Sequence, residues 1–146
     1  MKTAEEMIAA LGLVPLEDEG GWYRAMWRSA DDATASYIYY FLKKGERSRW
    51  HKLHTSNEVW TWCAGGSLEM TLGGTGERPV TESKTIFGPR LGTDSGYVSA
   101  APAGHWQTTR VVDGDWALVT CVVSPAFQPE DCFLPHPPIE TDLTGA

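Results

Sequence analysis

Basic residues are few. Twelve Lys and Arg stand against 19 Asp and Glu, giving a formal net charge of −7 with the four histidines neutral, and a sequence pI near 5.0. Clustered Lys and Arg drive binding to phosphate backbones and anionic lipid, so neither nucleic acid nor a membrane surface is expected as a partner. Long apolar runs are absent too: no stretch approaches the roughly 18–20 residues a spanning helix requires. The chain opens Met1-Lys2-Thr3-Ala4-Glu5-Glu6, with acids where a signal peptide would be apolar, so no secretion signal is read. Cysteine is scarce, with Cys63, Cys121 and Cys132 widely spaced. An odd number cannot all pair internally, and no zinc-ribbon spacing occurs. A reduced, cytoplasmic setting is the simplest reading, with a disulfide between two of the three left open.

What the chain does have is aromatic residues and turn formers. Aromatics make up 11% of 146 residues, with seven Trp, and there are 15 Gly and nine Pro. The length favours one domain. A chain of ~150 residues buries about 70% of its unfolded surface, enough for a core without staples. Residues 3–11 read as a helix: Thr3 and Glu6 form a capping box, Met7, Ile8 and Leu11 share a face, and Gly12 stops it. Beyond Pro15, short aromatic and β-branched runs predict strands at 22–28, 35–42, 49–53, 58–64, 67–72, 80–86, 96–100, 106–111 and 117–123. Gly, Pro and Asp punctuate them, as at Lys44-Gly45, Gly65-Gly66, Gly88-Pro89 and Asp113-Gly114. With no second long helical pattern, a βαβ sheet is disfavoured and an all-β sandwich or barrel is expected. The stretch 125–146, with five prolines, reads as an extended strap over the surface.

The densest chemistry runs from Gly45 to Gly65 and contains His51, His54 and Glu58. Alternate side chains of a strand share a face, so Arg49, His51 and Leu53 go together, as do Glu58, Trp60 and Trp62. A hairpin would bring His51 beside Glu58. A His–carboxylate pair is a general acid/base unit and half of a metal site. The plain alternative is a surface hydrogen bond between the two. The tryptophans favour the chemical reading, because an apolar wall raises a carboxyl pKa, although at least one of them also suits an ordinary core.

Gly45, His51, Glu58 and Gly65 resemble the first signature of the cupin superfamily: Gly, five residues, His, a second His, Glu, six residues, Gly. Gly96, Pro102 and Gly104 resemble the second, which ends in a His three residues after the last Gly. More narrowly, the chain is similar to a small cupin branch described as predicted sugar epimerases. The resemblance lies in Glu19-Gly20-Gly21-Trp22-Tyr23-Arg24, Tyr39-Tyr40-Phe41-Leu42, Trp50-His51-Lys52-Leu53, Asn57-Glu58-Val59-Trp60, Pro102-Ala103-Gly104-His105-Trp106-Gln107 and Asp115-Trp116-Ala117-Leu118-Val119. It covers roughly residues 4–133. It implies an all-β double-stranded β-helix, the jelly-roll barrel, with one short N-terminal helix. The single domain would then comprise a helix at about 3–11, a barrel at about 20–124 and the strap 125–146. Commonly it implies a homodimer.

The resemblance also says where this chain departs. Metal-dependent cupins resemble a site of three His and one Glu. His51 and Glu58 match, but Leu53 and Gln107 stand where the second and last His would be. A neutral Gln is a poor ligand, so no tightly held cofactor is expected. A weak divalent site of His51, Glu58 and Gln107 stays open, with His105, or His54 turned inward by a bulge, filling in. As ligand contacts, Arg49 is read as an anchor for a phosphate or carboxylate, Arg24 as a second anchor, Gln107 as a hydrogen-bond partner, His105 as an interior neighbour, and Trp60 and Trp62 as walls. The ligand is thus a small molecule, anionic if Arg49 faces it. In cupin sugar epimerases a His base works with a carboxylate and a Tyr, a set that His51, Glu58 and a Tyr from 37, 39 or 40, with Tyr39 the first choice, would supply. Beside this isomerase or epimerase reading stand a non-catalytic metabolite-binding module and a weakly metal-dependent dioxygenase or decarboxylase.

Overall fold

A computed structural model describes residues 1–139. The helix α1 (Ala4–Leu11) forms where its signals predict. Thr3 accepts from the Glu6 N–H at 3.1 Å, and the Glu6 carboxylate accepts from the Thr3 N–H at 2.9 Å. The left-handed turn at Gly12, with φ +64°, ends it. Among the described residues eleven strands follow: β1 (Val14–Pro15), β2 (Trp22–Arg28), β3 (Ser36–Lys43), β4 (Lys52–Leu53), β5 (Asn57–Gly65), β6 (Leu68–Leu72), β7 (Ser83–Phe87), β8 (Val98–Ala101), β9 (Gln107–Val111), β10 (Trp116–Ser124) and β11 (Cys132–Phe133).

Six of them form one antiparallel sheet in the order β1-β2-β3-β10-β5-β8. A three-stranded sheet, β7-β6-β9, lies across the core, and β4 pairs with β11. The protein is mostly β with one short helix, as expected. The ladders do not close into a continuous barrel. The fold is a β-sandwich whose two larger sheets meet through Tyr40, Leu42, Trp60, Met70 and Phe87. Trp60 anchors this core edge-on to Tyr40 at 5.4 Å and to Phe87 at 6.5 Å between ring centroids. On the other face of the large sheet, α1 covers a second cluster of Leu13, Phe41, Trp116 and Leu118.

All nine strands read from the sequence are present. The largest differences are at 49–53, of which only Lys52–Leu53 pairs as a strand, and at 80–86, which starts at Ser83. Arg49 gives its N–H to the Glu19 carbonyl at 2.6 Å, a loop contact, and His51 makes only an isolated bridge to Gln107, so the strand proper begins at Lys52. β1 and β11 were not foreseen, being two residues each. The strap is more than an extended cover. Asp131 accepts from the Thr55 N–H and hydroxyl, and Ala126 is buried. The expected strap residues 140–146 lie outside the described residues. All three cysteines are free, and among the described residues no helix is long and apolar enough to cross a membrane.

Candidate functional site

Between β3, β10, the start of β5 and the loop before β2 lies a cavity of about 120 Å³. A narrower inner lobe of about 10 Å³ continues from it, and the two share Leu16, Glu19, Ile38, Glu58 and Cys121. The inner lobe has room for a single water at most. Tyr23, Tyr37, Leu53, Val123 and Phe127 line the main lobe. His51, Tyr40 and Trp60 border only the inner one.

His51 is 2% exposed and uses both ring nitrogens. Nδ1 lies 2.7 Å from the Arg49 carbonyl and Nε2 lies 3.1 Å from the Glu19 carboxylate. A carbonyl can only accept, so Nδ1 carries a proton. Nε2 then faces a carboxylate oxygen, and a second proton must lie between them. Glu19 and His51 are therefore one protonated unit. Glu19 is a functional candidate that the sequence reading did not single out. It arrives on a tight loop: Gly20 and Gly21 adopt φ of +83° and +71°, and Gly20 donates to the Leu16 carbonyl at 2.8 Å. A Cβ on Gly21 would lie 2.6 Å from the Tyr40 hydroxyl. That hydroxyl donates to the Gly20 carbonyl at 2.6 Å, tying the loop to β3.

Glu58 is 7% exposed and accepts from the Gln107 amide at 2.9 Å. Burial pushes its carboxyl up from 4.5 to about 6. The His51 charge and the Gln107 bond work against that rise, and the charge of Glu19 adds to it. Trp60 also lowers the pKa slightly, yet its indole N–H reaches no acceptor in hydrogen-bond geometry among the described residues. Burial raises both the Tyr40 phenol and the Cys121 thiol, which stay protonated.

The sequence placed His51 directly against Glu58. The fold brings both to the inner lobe but pairs His51 with Glu19 and Glu58 with Gln107. Gln107 and His51 face each other across an isolated antiparallel bridge. Trp60 borders the inner lobe, whereas Trp62 stacks on Tyr97 at 6.1 Å. Tyr39 lies on the opposite face of β3, packed beside Phe41 under α1, so alternation along the strand takes it away from the cavity. Tyr40, one residue on, faces in. Arg49 reaches to the Glu17 carbonyl at 3.3 Å and does not line the cavity, because the chain there is not a regular strand. Arg24 turns to the Leu11 carbonyl. His105 bonds within its own turn, to the Ala103 carbonyl at 3.3 Å. His54 is exposed beside Phe133.

Comparison with known protein families matches residues 5–134 to the family described as "Cupin superfamily (DUF985)", and the chain belongs to that family. Among solved structures, protein SO0799 from Shewanella oneidensis is 29% identical, with a TM-score of 0.81 over 92% of this chain and 85% of that one. A hypothetical protein from Leishmania major is 24% identical, with a TM-score of 0.75 over 91% and 87%. KdgF from Halomonas sp. is 14% identical, with a TM-score of 0.57 over 81% and 88%. The last two likenesses are of fold alone. No curated protein matches. These findings establish the superfamily; the narrower sugar-epimerase branch rests on the sequence resemblance.

Many cupins hold a metal, and the His51, Glu58 and Gln107 set does not suit one. Both nitrogens of His51 are engaged, and Leu53 fills the place of a second imidazole. Gln107 turns its NH2 to Glu58, and its oxygen, buried without a partner among the described residues, is a neutral donor that cannot hold a divalent ion unaided. Among the described residues no three His, Cys, Asp or Glu are grouped to hold a metal ion.

Proposed function

We propose that this cupin binds a small metabolite in the main lobe and moves protons on it with its own side chains, as an isomerase or epimerase does. What carries the reading is a pair of carboxylates on one cavity wall in different states. Glu19 shares a proton with His51, and Glu58 has a pKa pushed up to about 6 by burial. Near neutral pH, Glu58 is ionised and is a stronger base than an ordinary carboxylate.

In this mechanism Glu58 takes a proton from a carbon next to a carbonyl. The C–H electron pair moves onto the carbonyl oxygen, and the proton shared by Glu19 and His51 is at hand to neutralise it. Glu58 then returns the proton to the neighbouring carbon while the Glu19–His51 pair takes back the proton from the heteroatom on the first carbon, which isomerises the substrate. Inverting the first carbon instead requires a second donor on the opposite face, a role open to the phenols of Tyr23 and Tyr37 in the main lobe. The base is thus Glu58 rather than His51. His51 touches only the one-water lobe and acts as a positioning residue and proton store for Glu19. Tyr23 and Tyr37, not Tyr39, are the phenols beside the substrate.

The test is solvent exchange. The protein is incubated in D2O with a panel of small hydroxy- and amino-carbonyl compounds, and the products are read by NMR. Deuterium should enter beside the carbonyl of at least one compound that binds. Glu58→Gln should slow entry about 10²–10⁴-fold, and His51→Ala should slow it while leaving binding within a few-fold. Binding with no exchange, or exchange untouched in Glu58→Gln, would make the protein a non-catalytic binding module.

A further inference from the structure

The charges and walls of the same cavity narrow the ligand class. The Glu19–His51 unit, with its shared proton, adds no net charge. Glu58 is left over, buried, and its hydrogen-bond partner is the neutral Gln107 amide. An ionised carboxylate in such a place lacks a counter-ion. Neither Lys nor Arg lines either lobe among the described residues. An anionic ligand would therefore meet Glu58 with nothing to offset it. A polyhydroxylated ligand finds no partner along Leu16, Ile38, Leu53 and Val123, which leaves its hydroxyls only the Ser36 hydroxyl, the Tyr23 and Tyr37 phenols and the two carboxylates. Three aromatic rings, Tyr23, Tyr37 and Phe127, complete the main lobe. Aromatic faces attract cations.

We infer that the ligand is a small organic cation, an amine or ammonium compound with a compact apolar body, whose charge offsets Glu58 and whose body rests against Tyr23, Tyr37 and Phe127. This rests on the reading of the cavity as the binding site. It replaces the anion that an inward Arg49 would have selected. It also makes binding depend on pH. Protonating Glu58, near pH 6, removes the charge that the cation pairs with, while Glu19, His51, Tyr40 and Cys121 are the other titratable groups facing the lobe.

Three probes of nearly one shape and different charge test it: tert-butylammonium, tert-butanol and trimethylacetate, titrated against the whole protein and followed by amide and indole N–H NMR. At pH 7.5 the ammonium should bind at least ten-fold more tightly than the alcohol, with trimethylacetate weakest, and the Trp60 indole signal should move. At pH 5 the advantage should shrink below about three-fold. Glu58→Gln should show the same loss at pH 7.5 while still binding the alcohol, and the pH series on the unaltered protein reads the same charge if that variant does not fold. Alcohol or trimethylacetate binding as tightly as the ammonium would overturn the cation class and leave the cavity as the site. Shifts with none of the three at Trp60, Tyr37 or Phe127 would overturn the cavity reading itself.

Discussion

The two faces of the six-stranded sheet come from the same strands, one residue apart, and they are finished to different degrees. The face under α1 is closed. Phe41 stacks on Trp116 at 5.6 Å, Leu13 and Leu118 fill the gaps, and the Trp116 indole donates to the Lys2 carbonyl at 2.9 Å. The buried members of that cluster are all apolar, and their one polar N–H is satisfied. The inner face carries an apolar core and Glu58, packed against His51 and Gln107 from outside the sheet, and among the described residues the Gln107 oxygen finds no hydrogen-bond partner. Chains rarely leave buried polar groups unmatched without a use for them. Both faces stabilise the sheet through apolar burial, and the inner one gives some of that up to buried polar groups.

The sharpest way to separate the faces is Phe41→Ala. Phe41 is 0% exposed, and emptying such a site costs about 3–5 kcal/mol. Urea unfolding should show that loss, while the affinity for a cavity ligand stays within two-fold in the fraction that is folded. A loss of affinity as large as the loss of stability would mean that the two faces are not independent.

Gly21→Ala strikes the inner face instead. Its φ of +71° and the 2.6 Å approach to the Tyr40 hydroxyl leave no room for a methyl group. Left-handed strain and overpacking together should cost about 3 kcal/mol. Unlike Phe41→Ala, it should also loosen Glu19 from His51, seen as faster solvent exchange of the His51 ring N–H by NMR. A ring N–H as well protected as before would show that the glycine serves the turn alone.

This glycine also marks where the sequence stopped being readable. Strand positions were legible because Gly and Pro punctuate them and alternation repeats between. His51, Glu58 and Gln107 were legible as places in a signature. Glu19 was not, because it reaches the site through a loop contact to Arg49 that no local pattern encodes, and the acid before two glycines was its only trace. Tyr39 and Tyr40 were confused for a different reason. The run Tyr37-Ile38-Tyr39-Tyr40-Phe41-Leu42 is apolar on both faces, so nothing in it says which face points inward. Arg49 was placed by strand alternation in a segment that is not a strand.

The subtlest prediction concerns the sign of a stability change. Burial lifts the Glu58 carboxyl from 4.5 to about 6. An unfolded chain ionises at the ordinary value, so between those two pH values the folded protein holds the extra proton. The stability that goes with the protonated form is complete below pH 4.5 and is lost as pH rises through about 6. At neutral pH the loss amounts to about 2 kcal/mol. Glutamine cannot ionise and escapes it. Glu58→Gln should therefore be more stable than the parent by up to about 2 kcal/mol at pH 7.5, with the difference fading to nothing near pH 4.5. Phe41→Ala should be destabilised equally at both. Thermal unfolding across that range reads both variants, and parallel curves for Glu58→Gln and the parent would remove the buried charge from the account. A change that strengthens the fold while abolishing exchange and the preference for a cation is what a carboxylate kept for chemistry should show, since the protein is then holding a charge that its own folding disfavours.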